Sequence, residues 1–239
     1  MKKFSLWEGG PTLIQAEHAP LTSDTVALAH FARVGEGEQG ADLGCASGAL
    51  MLILLSGHAG LRMTGLELDA KAAEQARTNL EENGLSDRAA VLTGDMRETS
   101  KQLPAASCDF VIVNPPYYSA GRGAISPTPE RAAAYSETDI TLEEICRVAG
   151  RLCRNGGRLF LSWRPERLTE LFTAAGSCGM EIKRLRFVHH SADRAAFTVL
   201  AEAHQGGGPG LTVEAPLFLH DPDGRESEEY RRICRRENR

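Results

Sequence analysis

Three acidic residues near a glycine-rich bend are the first candidates for chemistry. Asp42 stands in Ala41-Asp42-Leu43-Gly44-Cys45-Ala46-Ser47-Gly48, where Gly44 and Gly48 flank small residues between a strand pattern and a helix pattern. Small residues let a ligand approach the backbone closely, and open α/β sheets bind ligands at that edge. The spacing is not G-x-G-x-x-G and no Lys follows, so the bend suits neither a pyrophosphate nor a nucleoside triphosphate. A carboxylate at Asp42 repels phosphate and attracts an ammonium. Glu67, ending the next strand pattern, could accept both ribose hydroxyls. Asp95, in Thr93-Gly94-Asp95-Met96, could hold an adenine amino group, with Met96 packed on the ring. Together they fit S-adenosylmethionine, which has an amino-acid end and a sulfonium but no phosphate. Taken singly, Asp42 or Asp95 fits a turn cap equally well.

The second motif is Asn114-Pro115-Pro116-Tyr117. Two prolines stiffen the backbone directly after an apolar strand pattern. The Asn114 side-chain oxygen and the Pro115 carbonyl are then preorganised acceptors for an amino group, which offers two hydrogens. Held this way, the nitrogen lone pair points at a methyl-sulfonium carbon, and catalysis is alignment plus electrostatics. Tyr117 supplies a flat ring, and base–aromatic stacking is worth ~1–3 kcal/mol.

The elements that must position these residues alternate. Thr22 or Ser23 caps a helix to Arg33. Residues 41–43 end a first strand, and 49–55 form an apolar helix. Residues 62–66 read as a second strand, and Asp69 caps a helix running to Asn83-Gly84. Residues 89–92 are a third strand, and 108–113 a buried central one. A long loop rich in Gly, Ser and Pro runs from 118 to about 138. Residues 142–152 are helical. Asn155-Gly156-Gly157 turns into a strand over 158–163, Pro165 starts a helix to about 175, and 182–188 and 195–203 form an antiparallel pair. Gln205 to Gly210 is a flexible break, 211–219 could form a strand, 221–224 is a turn, and 226–239 is a frayed helix. Alternating strands and helices imply a mostly parallel sheet covered on both faces.

Composition excludes other classes. The 239 residues are 42% hydrophobic, 25% charged and 6% aromatic, as in a globular domain rather than a disordered chain or a coiled coil. The longest apolar stretch, residues 49–55, is far short of the ~20 residues that span a membrane. The N-terminus meets Glu8 before any long apolar core, unlike a signal peptide. The six cysteines form no C-x-x-C pair, and no His pair has zinc-finger spacing. Free thiols in a reducing cytoplasm and no metal site are expected. Net charge is −5, unevenly spread: residues 1–140 carry 11 basic and 18 acidic side chains, and residues 141–200 carry 10 and 6. An acidic total argues against indiscriminate nucleic-acid binding, while the basic stretch leaves room for a specific partner.

At this point the residues resemble the class I S-adenosylmethionine-dependent methyltransferases with an N-P-P-Y motif. Arg164-Pro165-Glu166-Arg167-Leu168, Lys183-Arg184-Leu185-Arg186-Phe187-Val188-His189 and the tail Gly207-Gly208-Pro209-Gly210-Leu211 … Asp221-Pro222-Asp223-Gly224 … Glu228-Glu229-Tyr230 are similar to one bacterial family. That family is the tRNA adenine-N6 methyltransferases acting on adenosine-37 of the valine tRNA. The likeness runs from about Gln15 to Tyr230. It implies a three-layer, Rossmann-like α/β fold with a seven-stranded, mostly parallel sheet and an antiparallel last strand pair. It implies one domain over 1–239, with 1–34 packing over the cofactor and 205–239 as a C-terminal extension. Carried over, Asp42, Gly44, Cys45, Ala46, Gly48, Glu67, Leu68, Asp95 and Met96 bind S-adenosylmethionine. Asn114, Pro115, Pro116 and Tyr117 hold adenine, and Asn114 also lies against the cofactor. Leu21-Thr22-Ser23-Asp24 resembles the family's segment over the methionine end, which adds Asp24. Ala46 departs from the glycine or threonine common in related loops.

The implied partner is RNA, most simply tRNA, in the cytoplasm. The expected grip is a basic face made by Arg164, Arg167, Lys183, Arg184 and Arg186, with Arg122 and Arg131 on the long loop. Two other functions stay open. A protein-glutamine N5-methyltransferase of the release-factor type also uses N-P-P-Y, but those enzymes resemble one another in a sizeable N-terminal helical domain. A non-catalytic S-adenosylmethionine- or RNA-binding paralogue would not need Asn114 and Tyr117 intact.

Overall fold

The computed structural model describes residues 1–15, 21–115 and 140–235. Its centre is one large sheet. The strands are β3 (Gln39–Leu43), β4 (Arg62–Glu67), β5 (Ala89–Thr93), β6 (Cys108–Val113), β7 (Cys153–Trp163), β8 (Met180–His189) and β9 (Ala196–Gln205). They lie in the order β5-β4-β3-β6-β7-β9-β8, and only β9 runs against its neighbours. The expected seven-stranded sheet is therefore present but extended. Two short strands, β10 (Thr212–Val213) and β11 (Leu217–Phe218), pair in parallel with β8 and make nine. They replace the single strand expected over 211–219. Between them Pro216 has no N–H to offer a ladder.

Helices cover both faces. On one lie α1 (Ser23–Phe31), α2 (Ala49–Gly57) and α3 (Ala70–Glu82), with a core that includes Leu28, Phe31, Met51, Leu52 and Phe110. On the other lie α4 (Leu142–Leu152) and α5 (Leu168–Ser177), packed on Val111, Leu159 and Leu161. The local signals explain the boundaries. Thr22 caps α1, Asp69 caps α3, and Thr141 with Glu144 forms a full capping box on α4. α2 buries six consecutive residues from Leu50 to Leu55, which is why its sequence is apolar all round.

Two further features depart from the sequence reading. Strand β7 starts at Cys153, because the Asn155-Gly156-Gly157 turn is absorbed as an irregularity: Cys108 pairs with Cys153, but Phe110 pairs with Arg158. The N-terminus, for which no element was expected, forms a hairpin of β1 (Lys2–Ser5) and β2 (Thr12–Gln15). Asparagines of α3 hold it. Asn79 exchanges two 2.8 Å bonds with Ile14, and Asn83 bonds Thr12 at 2.7 and 2.8 Å. A buried side-chain amide thus substitutes for a neighbouring strand. A last helix, α6 (Glu228–Arg235), packs against α1.

Strand order changes direction between β3 and β6, since β3 connects onward to β4 on its other side. The crevice beyond the carboxyl ends of β3 and β6 is the place where such sheets bind ligands.

Candidate active site

Asp42 lies near the end of β3, paired with Gly65 and Ile112. It is 2% exposed, and its Oδ2 has no hydrogen-bond partner among the described residues. Burial first, and the Glu67 charge second, push its carboxyl up to about 8. An orphaned buried acceptor costs ~1–3 kcal/mol, so the arrangement is complete only when a donor arrives from outside. A cationic donor would also return the carboxyl to its charged form.

The bend after Asp42 turns at three left-handed residues: Gly44 and Gly48, each at φ 78°, and Ala46 at φ 47°. Alanine there is strained where glycine would not be. Glu67 ties the bend down, accepting from the Ala46 N–H through one oxygen and from the Asp69 N–H through the other, both at 2.9 Å. Asn79 completes the tie by donating to the Ser47 carbonyl at 2.8 Å. The three acids do come to one edge: the Glu67 charge acts on Asp42, and the Glu67 carbonyl accepts from Gly94 beside Asp95. Asp95 is held by Arg97, with a 2.5 Å ion pair and a 2.8 Å bond from the Arg97 N–H, which keeps its carboxyl below the usual range. Met96 reaches over Gly44, since a Cβ there would lie 3.9 Å from its methyl. Leu68 is 48% exposed beside Glu67. Cys45 is buried, and burial plus the neighbouring acids push its thiol far up, as suits a filler rather than a nucleophile.

Asn114 follows the last residue of β6. Register sets its neighbours. Asp42 pairs with Ile112, so Asn114 stands two residues further out, level with Gly44; Val113 pairs with Leu161, so Asn114 stands beside Ser162. Ser162 Oγ donates to Asn114 Oδ1 at 2.5 Å, and Asn114 Nδ2 donates to Thr25 Oγ1 at 2.9 Å. The amide is therefore clamped at both ends, with its oxygen still offering one lone pair. Neither Thr25 nor Ser162 emerged from the sequence. The available signals were a lone hydroxyl in the apolar run 159–163, and a second threonine one turn into the capped helix. Asp24, next to Thr25, opens α1 at this same edge, and its charge reaches Tyr230 of α6. Pro115 is buried; Pro116, Tyr117, Arg122 and Arg131 lie outside the described residues.

The expected basic face needs correction. Arg184 is 7% exposed and lies between Glu202 at 2.6 Å, Glu214 at 3.0 Å and the Phe31 carbonyl at 2.7 Å, with its guanidinium 3.8 Å from the Phe31 ring centre. Arg186 pairs with Glu229 at 2.7 Å and bonds the Ala215 carbonyl, and Lys183 bonds the Gly208 carbonyl. These cations fasten β8 to β9 and to the C-terminal segment. Arg164 and Arg167 do stand at the acceptor edge, directly after β7. Arg167 lies over the Trp163 ring and pairs with Glu170 at 2.7 Å.

The sequence model described as the methyltransferase small domain matches residues 22–170. This chain belongs to that family. Every residue of the crevice just described, from Asp24 to Ser162, falls inside the match, and α6 with the sheet extension falls outside it. The chain is also similar to curated proteins named tRNA1(Val) (adenine(37)-N6)-methyltransferase. The one from Cronobacter sakazakii is 29% identical over 210 residues, 87% of this chain and 83% of that one. The one from Dyadobacter fermentans is 23% identical over 203 residues, 84% and 82% of the two chains. Among solved structures, a predicted O-methyltransferase from Agrobacterium tumefaciens has a TM-score of 0.72 at 24% identity, covering 89% of this chain and 96% of that one. TrmN from Thermus thermophilus has a TM-score of 0.57 at 21% identity, covering 76% and 48%. Both likenesses establish the class I methyltransferase fold.

Proposed function

We propose that this methyltransferase moves the methyl group of S-adenosylmethionine to the exocyclic N6 of adenine in tRNA, at adenosine-37, in the cytoplasm. The observation that carries the reading is the clamped Asn114 amide and, on the adjacent strand, the orphaned Asp42 carboxyl at the switch point of the sheet. The curated relatives' shared name supports the nucleoside and the tRNA. The whole chain, 1–239, acts as one catalytic unit, with 1–34 packing over the cofactor and 205–239 as a C-terminal extension.

In this reading Asp42 receives the cofactor's ammonium and Glu67 its ribose hydroxyls. Gly44, Cys45, Ala46 and Gly48 give it close backbone approach, and Asp24, Leu68, Asp95 and Met96 enclose the rest. The cofactor, when bound, supplies an electrophilic methyl on sulfur. Asn114 Oδ1 and the Pro115 carbonyl accept the two hydrogens of the target amine, which orients its lone pair. Thr25 and Ser162 are positioning residues: they hold the Asn114 amide in the plane that this orientation requires. Tyr117 stacks on the base. No base is needed before transfer, because the amine proton leaves after the nitrogen is methylated.

The test is transfer of labelled methyl from S-adenosylmethionine to bulk tRNA and to release factor, followed by nucleoside mass spectrometry of the tRNA. N6-methyladenosine in valine tRNA is expected. Label in release factor alone, or in neither acceptor, would overturn the proposal.

A further inference from the structure

With Lys183, Arg184 and Arg186 committed to internal contacts, only Arg164 and Arg167, among the described residues of the expected basic face, stand at the acceptor edge, and a flanking nucleotide calls for further surface beside them. A cavity of about 620 Å³ opens between the β8–β9 turn and the turn after β11, lined by His190, Asp193, Arg194, His220 and Asp221 among others. Its position is set by the sheet. β8 runs in the same direction as β6 and β7, and Trp163 at the end of β7 pairs with Val199, so the turn ahead of β9 projects beyond the edge that carries Asn114. From β6 to β8 there are three strand spacings, or roughly 14 Å. A nucleic-acid strand advances about 3.4 Å per stacked nucleotide and more when extended, so a chain with its base at Asn114 reaches this cavity within a few nucleotides.

The lining is that of a nucleotide site. The His190 ring lies stacked on Phe197, 4.2 Å between centres and 14° from parallel, and His190 is exposed, so an aromatic floor faces outward. The Arg194 side chain is exposed and enters no ion pair or hydrogen bond among the described residues, although its charge acts on Asp193. His220 donates to the His190 carbonyl through Nδ1 at 3.2 Å, and its Nε2 has no partner among the described residues. Asp193, bonded by Ser191 at 2.5 Å, and Asp221 supply acceptors. A phosphate alone would find two carboxylates here. A nucleotide, with a stacking face, base N–H groups and one phosphate, uses the whole set. Backbone bonds pre-form the walls: Arg194 N–H to the Ser191 carbonyl, His220 N–H to the His190 carbonyl, and Asp221 N–H to the Arg225 carbonyl.

We propose that this cavity is an RNA subsite that takes a nucleotide flanking the methylated adenosine, stacked on His190 and with its phosphate on Arg194. The inference rests on the RNA reading above. The experiment measures tRNA binding by fluorescence anisotropy, together with methyl transfer, for wild type, His190→Ala and Arg194→Ala. Melting temperature and S-adenosylmethionine affinity serve as folding controls.

Both variants should fold and bind S-adenosylmethionine as wild type does. His190→Ala should weaken tRNA binding about tenfold or more, and His190→Phe should restore it, since the ring face does the work. Arg194→Ala should lower the slope of log K against log salt by about 0.7–0.9, one phosphate contact. Wild-type tRNA binding and slope in both variants would overturn the subsite while leaving the methyltransferase reading intact. If the wild-type protein binds tRNA and does not methylate it, the reading fails and the variants still judge the subsite. If it neither binds nor methylates tRNA, both fail.

Discussion

Asp42 gives the sharpest test of the cofactor assignment, through pH. Its carboxyl is pushed up to about 8 by burial. If cofactor binding needs the ionised form, the apparent affinity is divided by one plus ten to the power of (pKa − pH). Binding is then about tenfold weaker at pH 7 than its limit, and about 100-fold weaker at pH 6, each pKa unit being 1.36 kcal/mol. The ligand's own ammonium, with an α-amino pKa of about 7.7–8.0, limits binding on the alkaline side. The affinity profile should therefore be a bell with its maximum near pH 8. Calorimetry in buffers of differing ionisation enthalpy should show close to one proton released on binding at pH 6.5. Asp42→Asn should abolish the proton release and the acid limb and bind weakly throughout. Stability carries the opposite sign. The folded chain keeps a proton that the unfolded chain loses from about pH 4, so apo stability falls as pH rises from about 4 to 8. Apo Asp42→Asn should thus melt above wild type at pH 8 and approach it at pH 4. A flat wild-type affinity between pH 6 and 7.5, or an acid limb retained in Asp42→Asn, would refute the argument.

Three further outcomes follow from particular contacts. Asn114→Ala should abolish transfer with near-normal S-adenosylmethionine affinity; Ser162→Ala and Thr25→Val should lower kcat and spare KM, with Thr25→Ser recovering most of the loss, read by steady-state kinetics. Arg184→Ala should cost about 3–5 kcal/mol of stability in denaturant titration, because it strands two partly buried carboxylates, and should not alter the salt slope of tRNA binding. Ala46→Gly should raise stability by up to about 1 kcal/mol in the same titration, by relieving the left-handed alanine.

Local chemistry made much of the fold and part of the site legible in the sequence. The capping residues Thr22 and Asp69 act on N–H groups a few positions away, so those helix starts could be read directly. The run 108–113 needed no partner to declare itself a buried strand, and Asp42, Glu67 and Asn114 sit at ends of strands that alternation implies to be parallel. What tertiary structure alone decided involves residues distant in the chain. Asn114 is held by Thr25, 89 positions away, and by Ser162, 48 positions away. Arg184 looked like a surface cation in a basic stretch; only the pairing of β8 with β9 and the return of the tail set Glu202 and Glu214 against it, 18 and 30 positions away. The N-terminal hairpin depends on Asn79 and Asn83, whose spacing in α3 reveals nothing until β2 lies beside them. The cavity at His190 exists because two turns, each ordinary by itself, are carried to one edge of the sheet. A charge or hydroxyl is read from sequence by type, but its role depends on what desolvates it and what it faces, and those are set by strands that meet only in the folded chain.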